Sequence, residues 1–315
     1  MDPITLQSLP YLRDLFGKRL QENVPLANYT AARVGGPADV LLAIRSADEL
    51  GEAVTKLWAN QVPFVILGSA ANVLVSDLGV RGVVLLNRAS ATNFDVEGKN
   101  VSVWAESGTN LGLLARQAAT KGFSGLEWAS TIPGSVGGAV YGNAGAHGGD
   151  MAGSLILANI LHRTMGRKDW SSQEMGYAYR SSVLKRNPQS AVVLAARLSL
   201  TIANIEAVKS KMEEFGAYRK QTQPPGASLG SMFKTPAGDH AGRLIESSGL
   251  KGIRVGGVEV SRKHGNFFIN DDRATARDYR DLIDLVRRTV EEKQGVSLEL
   301  EIELIGEWDR PTSKG

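Results

Sequence analysis

Ile132-Pro133-Gly134-Ser135-Val136-Gly137-Gly138, continuing to Asn143-Ala144-Gly145-Ala146, is the stretch on which the reading of the fold turns. It lies inside residues 128–149, a run without Asp, Glu, Lys or Arg and with glycine at 134, 137, 138, 142, 145, 148 and 149. That much glycine, together with Pro133 and Asn143, makes a poor membrane helix. The composition predicts instead a folded, buried loop, whose small residues let backbone approach a ligand and whose amides must find partners. Upstream, Gly68-Ser69-Ala70-Ala71-Asn72 follows a predicted strand and forms a second small-residue segment. Alone it reads equally well as an ordinary turn. As a pair, the two loops can present backbone N–H groups to a diphosphate.

The rest of the composition narrows the class. The chain has 315 residues, enough for two or three units, with 43% hydrophobic and 22% charged residues, the balance of a soluble globular protein. Lys plus Arg is 36 against 33 Asp plus Glu, and no basic block exceeds a residue pair, so no nucleic-acid footprint is expected. Cysteine is absent, which removes disulfides, thiol nucleophiles and thiolate metal sites. No basic n-region or long apolar run is found, so the expectation is a cytoplasmic protein without membrane insertion. No two glycines are separated by a single residue, so a G-x-G-x-x-G fingerprint does not occur, and there is no P-loop.

Periodicity organises the chain around these loops. Leu6, Leu9, Leu12, Leu15, Phe16 and Leu20 predict an N-terminal helix, and residues 40–44, a helix opened by Ser46 and Glu49, and residues 62–67 read as a βαβ-like unit. Further strands are expected at 73–75 and 83–86, a hairpin at 94–104, a helix at 111–121, strands at 155–161 and 191–200, and a helix at 205–218. A loop over 226–235 and a short helix at 241–248 follow. Ala276, Tyr279, Leu282, Ile283, Val286 and Val290 lie on one face of a helix begun by Thr275. Leu298, Leu300, Ile302 and Leu304, alternating with Glu299, Glu301 and Glu303, predict a closing strand.

Several motifs admit two readings. Gly226-Ala227-Ser228-Leu229-Gly230 matches the G-x-S-x-G nucleophile elbow, so a serine hydrolase using Ser228 is an alternative, but Gln223-Pro224-Pro225 precedes it where an elbow needs a strand. The four histidines form no H-x-x-x-H pair, so no metal site is expected. Tyr179-Arg180-Ser181-Ser182, with Lys185-Arg186, could be a cationic surface, and the glutamates of the last strand a solvated face.

Taken together, the segments resemble the MurB family of UDP-N-acetylenolpyruvoylglucosamine reductases. The resemblance runs in order through Arg33-Val34-Gly35-Gly36-Pro37-Ala38, the loop Gly68 to Asn72, residues 132–138 and 143–146, Tyr179-Arg180-Ser181-Ser182 and Gly230-Ser231-Met232-Phe233-Lys234. It continues through Ser261-Arg262-Lys263-His264-Gly265-Asn266-Phe267 and ends at Gly295-Val296-Ser297-Leu298-Glu299-Leu300-Glu301. It implies an α+β protein: an FAD-binding fold of the vanillyl-alcohol-oxidase/PCMH type in two subdomains, residues 1–92 and 93–204, plus a C-terminal α+β substrate domain, 205–315. The compact spacing is similar to the form of the family without an extra tyrosine-bearing loop.

The resemblance also implies the chemistry. Non-covalent FAD would be reduced by NADPH as co-substrate, and the enolpyruvyl ether of UDP-N-acetylglucosamine would take a hydride at C3 from flavin N5 and a proton at C2, giving UDP-N-acetylmuramate for peptidoglycan synthesis. Another FAD-linked dehydrogenase or oxidase of the same fold is the alternative within enzymes. By the resemblance, Ser231 protonates C2, while Arg180 and Glu301 stabilise the enol-type intermediate. The flavin falls to Arg33, Gly68, Ser69, Ala70, Ala71, Asn72, Ile132, Pro133, Gly134, Ser135, Gly137 and Gly138, and the substrate to Arg219, Lys234 and His264, with Arg219 on the UDP diphosphate. The loop at 68–72 departs from the family's usual Gly-Gly-Gly-Ser-Asn or Gly-x-Gly-Ser-Asn, losing tolerance of positive φ and one hydroxyl. Thr131 stands where Gly is usual, Gly142 where Met is usual and Thr235 where Asn is usual.

Overall fold

In the computed structural model, which describes residues 8–271 and 273–308, the chain separates into two compact units. One is built from the chain up to Leu42, Ala70–Val84 and the chain from Thr222 onward; the other from Ala43–Ser69 and Leu85–Gln221. Among the described residues no helix is long and apolar enough to cross a membrane.

The larger sheet belongs to the second unit. Six strands, all paired antiparallel, run in the order Gly166–Ser171, Leu155–His162, Ala191–Ile202, Asn100–Glu106, Thr92–Glu97, with Phe123–Ser124 on the far end of Ala191–Ile202. The central strand Ala191–Ile202 is buried along most of its length, because helices and loops cover both its faces. Val101, Val103, Ala158, Ile160, Ala196 and Leu198 from the sheet meet Leu111, Leu114 and Ala118 of helix Leu111–Thr120 and Val136 and Val140 of helix Val136–Gly142 in one core. Glu106, 9% exposed, is tolerated at the end of its strand because its carboxylate accepts from Ala47 N–H and Ala91 N–H, both at 2.8 Å.

The other unit packs around the helix Ala276–Gln294, whose predicted apolar face is fully buried from Ala276 to Val290. Thr275 and Asp278 form a capping box at its start, and the Asp77 carboxylate accepts from Ala276 N–H and Arg277 N–H at 2.8 Å each. Gly295 ends it in the left-handed conformation, φ 67°. Beside it lie the three-stranded meander Arg254–Val255, Val258–Val260, Phe268–Asn270, the antiparallel pair Leu20–Pro25 and Pro37–Ile44, and a parallel pair of Val73–Val75 with Glu303–Ile305.

The helices follow the sequence expectations closely: Ser8–Phe16 (the first part of the predicted span lies outside the described residues), Ala47–Ala59 capped by Ser46, Ile205–Thr222 and Ala241–Ser247. Three expectations need correction. Residues 128–149 are not all loop: Ser135 caps a helix Val136–Gly142, and Gly145–Ala146 pairs with Gly149–Asp150. The strand Gly166–Ser171 was not predicted, since as an exposed edge strand it carries Arg167, Lys168 and Asp169 with no apolar alternation. The closing strand spans only Glu303–Ile305, because the strand it pairs with, Val73–Val75, is three residues long.

Candidate functional site

In the second unit the two small-residue loops meet. Gly68 passes so close to Ser135 that a Cβ there would overlap the Ser135 hydroxyl, and a Cβ at Gly137 would lie 2.8 Å from that of Ser107. Only glycine fits such approaches. The Ser135 hydroxyl accepts from Gly138 N–H at 3.3 Å and opens the helix Val136–Gly142, while Gly134 O accepts from Leu111 N–H and Thr109 O from Val136 N–H. Ile132 and Pro133 lead into this turn. The buried hydroxyl of Thr109 in the same turn has no hydrogen-bond partner among the described residues. A narrow cradle walled by backbone and small hydroxyl residues, with one unsatisfied hydroxyl, fits the polar diphosphate of FAD. Ser69 ends this unit's share of the loop. Thr109 and Ser107 are cradle residues that sequence reading missed; only their position just before the Asn110-capped helix hinted at them.

The motifs at 141–146 and 179–182 also come together here. Ala178 and Ser181 exchange both backbone hydrogen bonds at 3.1 Å, leaving Tyr179-Arg180 as the turn, with Arg180 at φ 53°. Asn143 Nδ2 donates to Ala178 O at 3.1 Å, Ser182 Oγ donates to Tyr141 O at 2.6 Å, and Arg180 Nη1 donates to Gly145 O at 3.2 Å. The cationic-surface reading of this motif therefore gives way to a half-buried guanidinium with a defined position. Arg219, on the helix Ile205–Thr222, donates to Thr131 O, and burial lowers its pKa from the ordinary arginine value.

In the first unit, Arg33 holds φ 57° between buried Ala32 and Val34, with its N–H donating to Thr30 O. Ala70 O accepts from Ala31 N–H, so the segments of Arg33 and Ala70 run side by side. Ala70 itself sits at φ 43°, where glycine is the usual occupant. The loop therefore keeps its shape at the cost of a left-handed alanine. Ala70→Gly should stabilise the protein by ~0.5–1 kcal/mol, the relief of left-handed strain less glycine's extra chain entropy. Chemical denaturation of the two proteins checks this; a destabilised variant would contradict the assigned backbone.

Asn72, directly after Ala71, ties this loop to the last segment: its Nδ2 donates to Glu301 O at 3.0 Å and its O accepts from Glu303 N–H at 2.9 Å. Glu301 N–H in turn donates to Met232 O at 2.9 Å, which places Ser231 and Glu301 on neighbouring segments. Asn266, missed in the sequence, fixes that crossing: its amide accepts from Phe233 N–H at 2.9 Å and donates to Phe233 O at 2.8 Å, as a neighbouring strand would. Its place three residues from Arg262-Lys263 inside a quoted motif was the available signal. Lys234 forms an ion pair with Glu299, whose side chain is otherwise exposed, in keeping with the solvated-face reading. The His264 ring packs edge-on against Phe267, 4.9 Å between centroids, and its Nδ1 accepts from Asn266 N–H; burial first, and Lys251 second, lower its pKa. Ser228 lies in a loop with neither strand before it nor helix directly after, so the elbow geometry a serine hydrolase needs is missing.

Comparison with known proteins accounts for both units. Residues 38–162 match the family described as FAD binding domain, and residues 221–305 the family described as UDP-N-acetylenolpyruvoylglucosamine reductase, C-terminal domain. A UDP-N-acetylenolpyruvoylglucosamine reductase of Bacillus velezensis is 41% identical over 297 residues, 94% of this chain and 97% of that protein. The enzyme of the same name from Bacillus subtilis is 42% identical over 286 residues, 90% of this chain and 93% of its own. Among solved structures, UDP-N-acetylenolpyruvylglucosamine reductase (MurB) from Thermus caldophilus superimposes with a TM-score of 0.76 at 37% identity, over 90% of this chain and 97% of that one. The α+β FAD-binding fold that the family resemblance implied thus stands. Identity at this level over nearly the full length leaves one conclusion: the chain belongs to the MurB family of UDP-N-acetylenolpyruvoylglucosamine reductases.

Proposed function

We propose that this protein reduces UDP-N-acetylglucosamine-enolpyruvate to UDP-N-acetylmuramate with NADPH, and that Arg180, Ser231 and Glu301 are its reacting groups. The observation that carries the residue assignment is the crossing at Met232 and Glu301, which puts the proton-donor candidate and the carboxylate on adjoining segments. Bound FAD supplies the two-electron transfer between NADPH and the enolpyruvyl substrate. Arrival of hydride at C3 leaves negative charge at C2 and on the neighbouring carboxylate, and the Arg180 guanidinium offsets it. Ser231 then delivers the proton to C2 as general acid. Glu301 aids this step when protonated or when it acts through a bridging donor, since a bare carboxylate would oppose the charge.

Around these groups, Gly68, Ser69, residues 132–135, Gly137 and Gly138 hold the flavin diphosphate region, with Arg33 and Ala70 to Asn72 as further flavin contacts. Arg219 takes the UDP diphosphate as a guanidinium fork, and Lys234 and His264 are substrate contacts. We assign residues 1–92 and 93–204 to the flavin subdomains and 205–315 to the substrate domain; the family matches at 38–162 and 221–305 support a flavin part followed by a C-terminal substrate part. Use of a UDP-sugar and NADPH supports a cytoplasmic location for the reaction.

With no cysteine in the chain and no histidine before His147, the usual covalent flavin anchors are missing from the first flavin subdomain. Acid precipitation of the purified yellow protein should therefore release FAD into the supernatant, and NADPH oxidation should depend on the enolpyruvyl substrate. A colourless protein that FAD does not reconstitute would overturn the reading.

A further inference from the structure

The short hairpin of Gly145–Ala146 and Gly149–Asp150 ends in a two-residue loop, His147-Gly148, with φ 51° and 80°. Loops of this kind favour Asn or Gly first, and a histidine there carries left-handed backbone strain. Its ring is firmly placed: it stacks on Phe215 at 4.1 Å with 6° between planes, and Tyr218 meets it edge-on at 5.9 Å. Phe215 and Tyr218 belong to the helix Ile205–Thr222, and Arg219 follows Phe215 by one turn. That helix fully buries only Val208 among its described residues, so contacts such as the His147 stack define where Arg219 stands.

The base of the same hairpin accepts from Arg180 through Gly145 O, so one small element adjoins both arginines assigned to the substrate. The charges that act on the imidazole are Arg219 and Glu214 on the helix, while Lys211 lies over the Phe215 ring, Asp150 belongs to the hairpin and Arg180 donates to its Gly145 O. Cations outnumber carboxylates there. Burial first, and Arg219 second, hold the His147 pKa below the ordinary histidine value, against the pull of Glu214. Burial and Arg219 together thus outweigh Glu214 and disfavour the imidazolium in the free protein.

We propose that His147 is an anion-binding residue that acts beside Arg219 on the diphosphate of the UDP-sugar. The inference rests on the assignment of Arg219 to that diphosphate. A doubly charged diphosphodiester beside Arg219 reverses the local potential that disfavours the imidazolium. The protonated ring keeps its stack, because a cation is also well placed over the Phe215 face. The proton comes from solvent on binding. The sign follows by linkage: the pKa is higher in the complex than in the free protein, so affinity increases as pH falls through the interval between the two values and levels off outside it.

UDP-N-acetylglucosamine is the probe, since its diphosphodiester does not titrate over this range and it lacks the enolpyruvyl group, so no turnover intervenes. Calorimetry on the FAD-loaded enzyme at about pH 5.8 and about pH 8 should show ~5–10-fold tighter binding at the lower pH, with proton uptake revealed by the buffer dependence of the heat. His147→Phe keeps an aromatic ring on Phe215 and should bind with the wild-type alkaline affinity at both pH values. His147→Tyr is the second variant should Phe impair folding, judged by FAD content and melting temperature. A pH-independent wild type, or an aromatic variant that keeps the pH dependence, overturns the proposal. Arg219→Gln separates it from its premise: unchanged probe affinity in that variant, or no binding to the wild type, overturns the diphosphate assignment itself.

Discussion

Replacing Ser231 with alanine should leave reduction of the flavin by NADPH at its normal rate and slow its reoxidation by UDP-N-acetylglucosamine-enolpyruvate by ~10²–10⁴-fold, the range for loss of a positioned general acid. The asymmetry arises because the NADPH half-reaction needs no proton from this hydroxyl, whereas C2 must receive one. Local structure supports a clean substitution. Ser231 is held through its backbone: it bridges Phe267, and the following residue Met232 donates to Asn266 O and accepts from Glu301 N–H. Removing one hydroxyl leaves those bonds intact. Stopped-flow traces at the flavin band, taken for each half-reaction in variant and parent, decide the matter. Equal slowing of both halves, or of neither, would remove Ser231 from catalysis and leave it a loop residue.

Arg180→Lys should lower turnover by ~10²-fold or more while keeping the positive charge, a loss on the scale of removing one preorganised donor from a developing anion. The geometry explains why charge alone does not suffice. The Tyr179-Arg180 turn is closed by the paired Ala178–Ser181 bonds and tied down by Asn143, so the stem leaves the backbone in one direction. One nitrogen of the fork is spent on Gly145 O, and the guanidinium carbon lies 5.4 Å from the Tyr179 ring centre. A planar fork can keep that anchor and still present donors to a carboxylate; an ammonium on a flexible stem satisfies one or the other. Steady-state kinetics with saturating NADPH measure the effect, and a kcat near the wild-type value would refute the role of Arg180.

The altered loop at Gly68 to Asn72 shows where sequence pattern and structure part company. The pattern suggested a loss of left-handed tolerance, yet Ala70 adopts the left-handed conformation all the same. The surroundings over-determine it: Ala70 is 6% exposed, its carbonyl accepts from Ala31 N–H, and Asn72 is bound on both sides to the 301–303 segment. Tertiary contacts impose a backbone state that the residue by itself disfavours. The same logic explains Asn266, whose value lies entirely in pairing with Phe233, a residue 33 positions away.

What the sequence determined by itself is the set of elements whose cause is local. The helix Ala276–Gln294 was legible because its apolar period, Thr275 cap and Gly295 stop act within neighbouring turns, and the hairpin Thr92–Glu97 with Asn100–Glu106 because alternation and a tight turn do the same. The ordered motifs identified the family, since each is a short run of residue types. Tertiary structure alone decided how far strands extend, which loops meet and which charges pair. Glu303–Ile305 stops where Val73–Val75 stops, Gly166–Ser171 is a strand only because Leu155–His162 lies beside it, and Lys234 finds Glu299 across 65 positions of chain. Strand hydrogen bonds and ion pairs are made to partners distant in sequence, so their extent is a property of the pair and is written in neither member by itself.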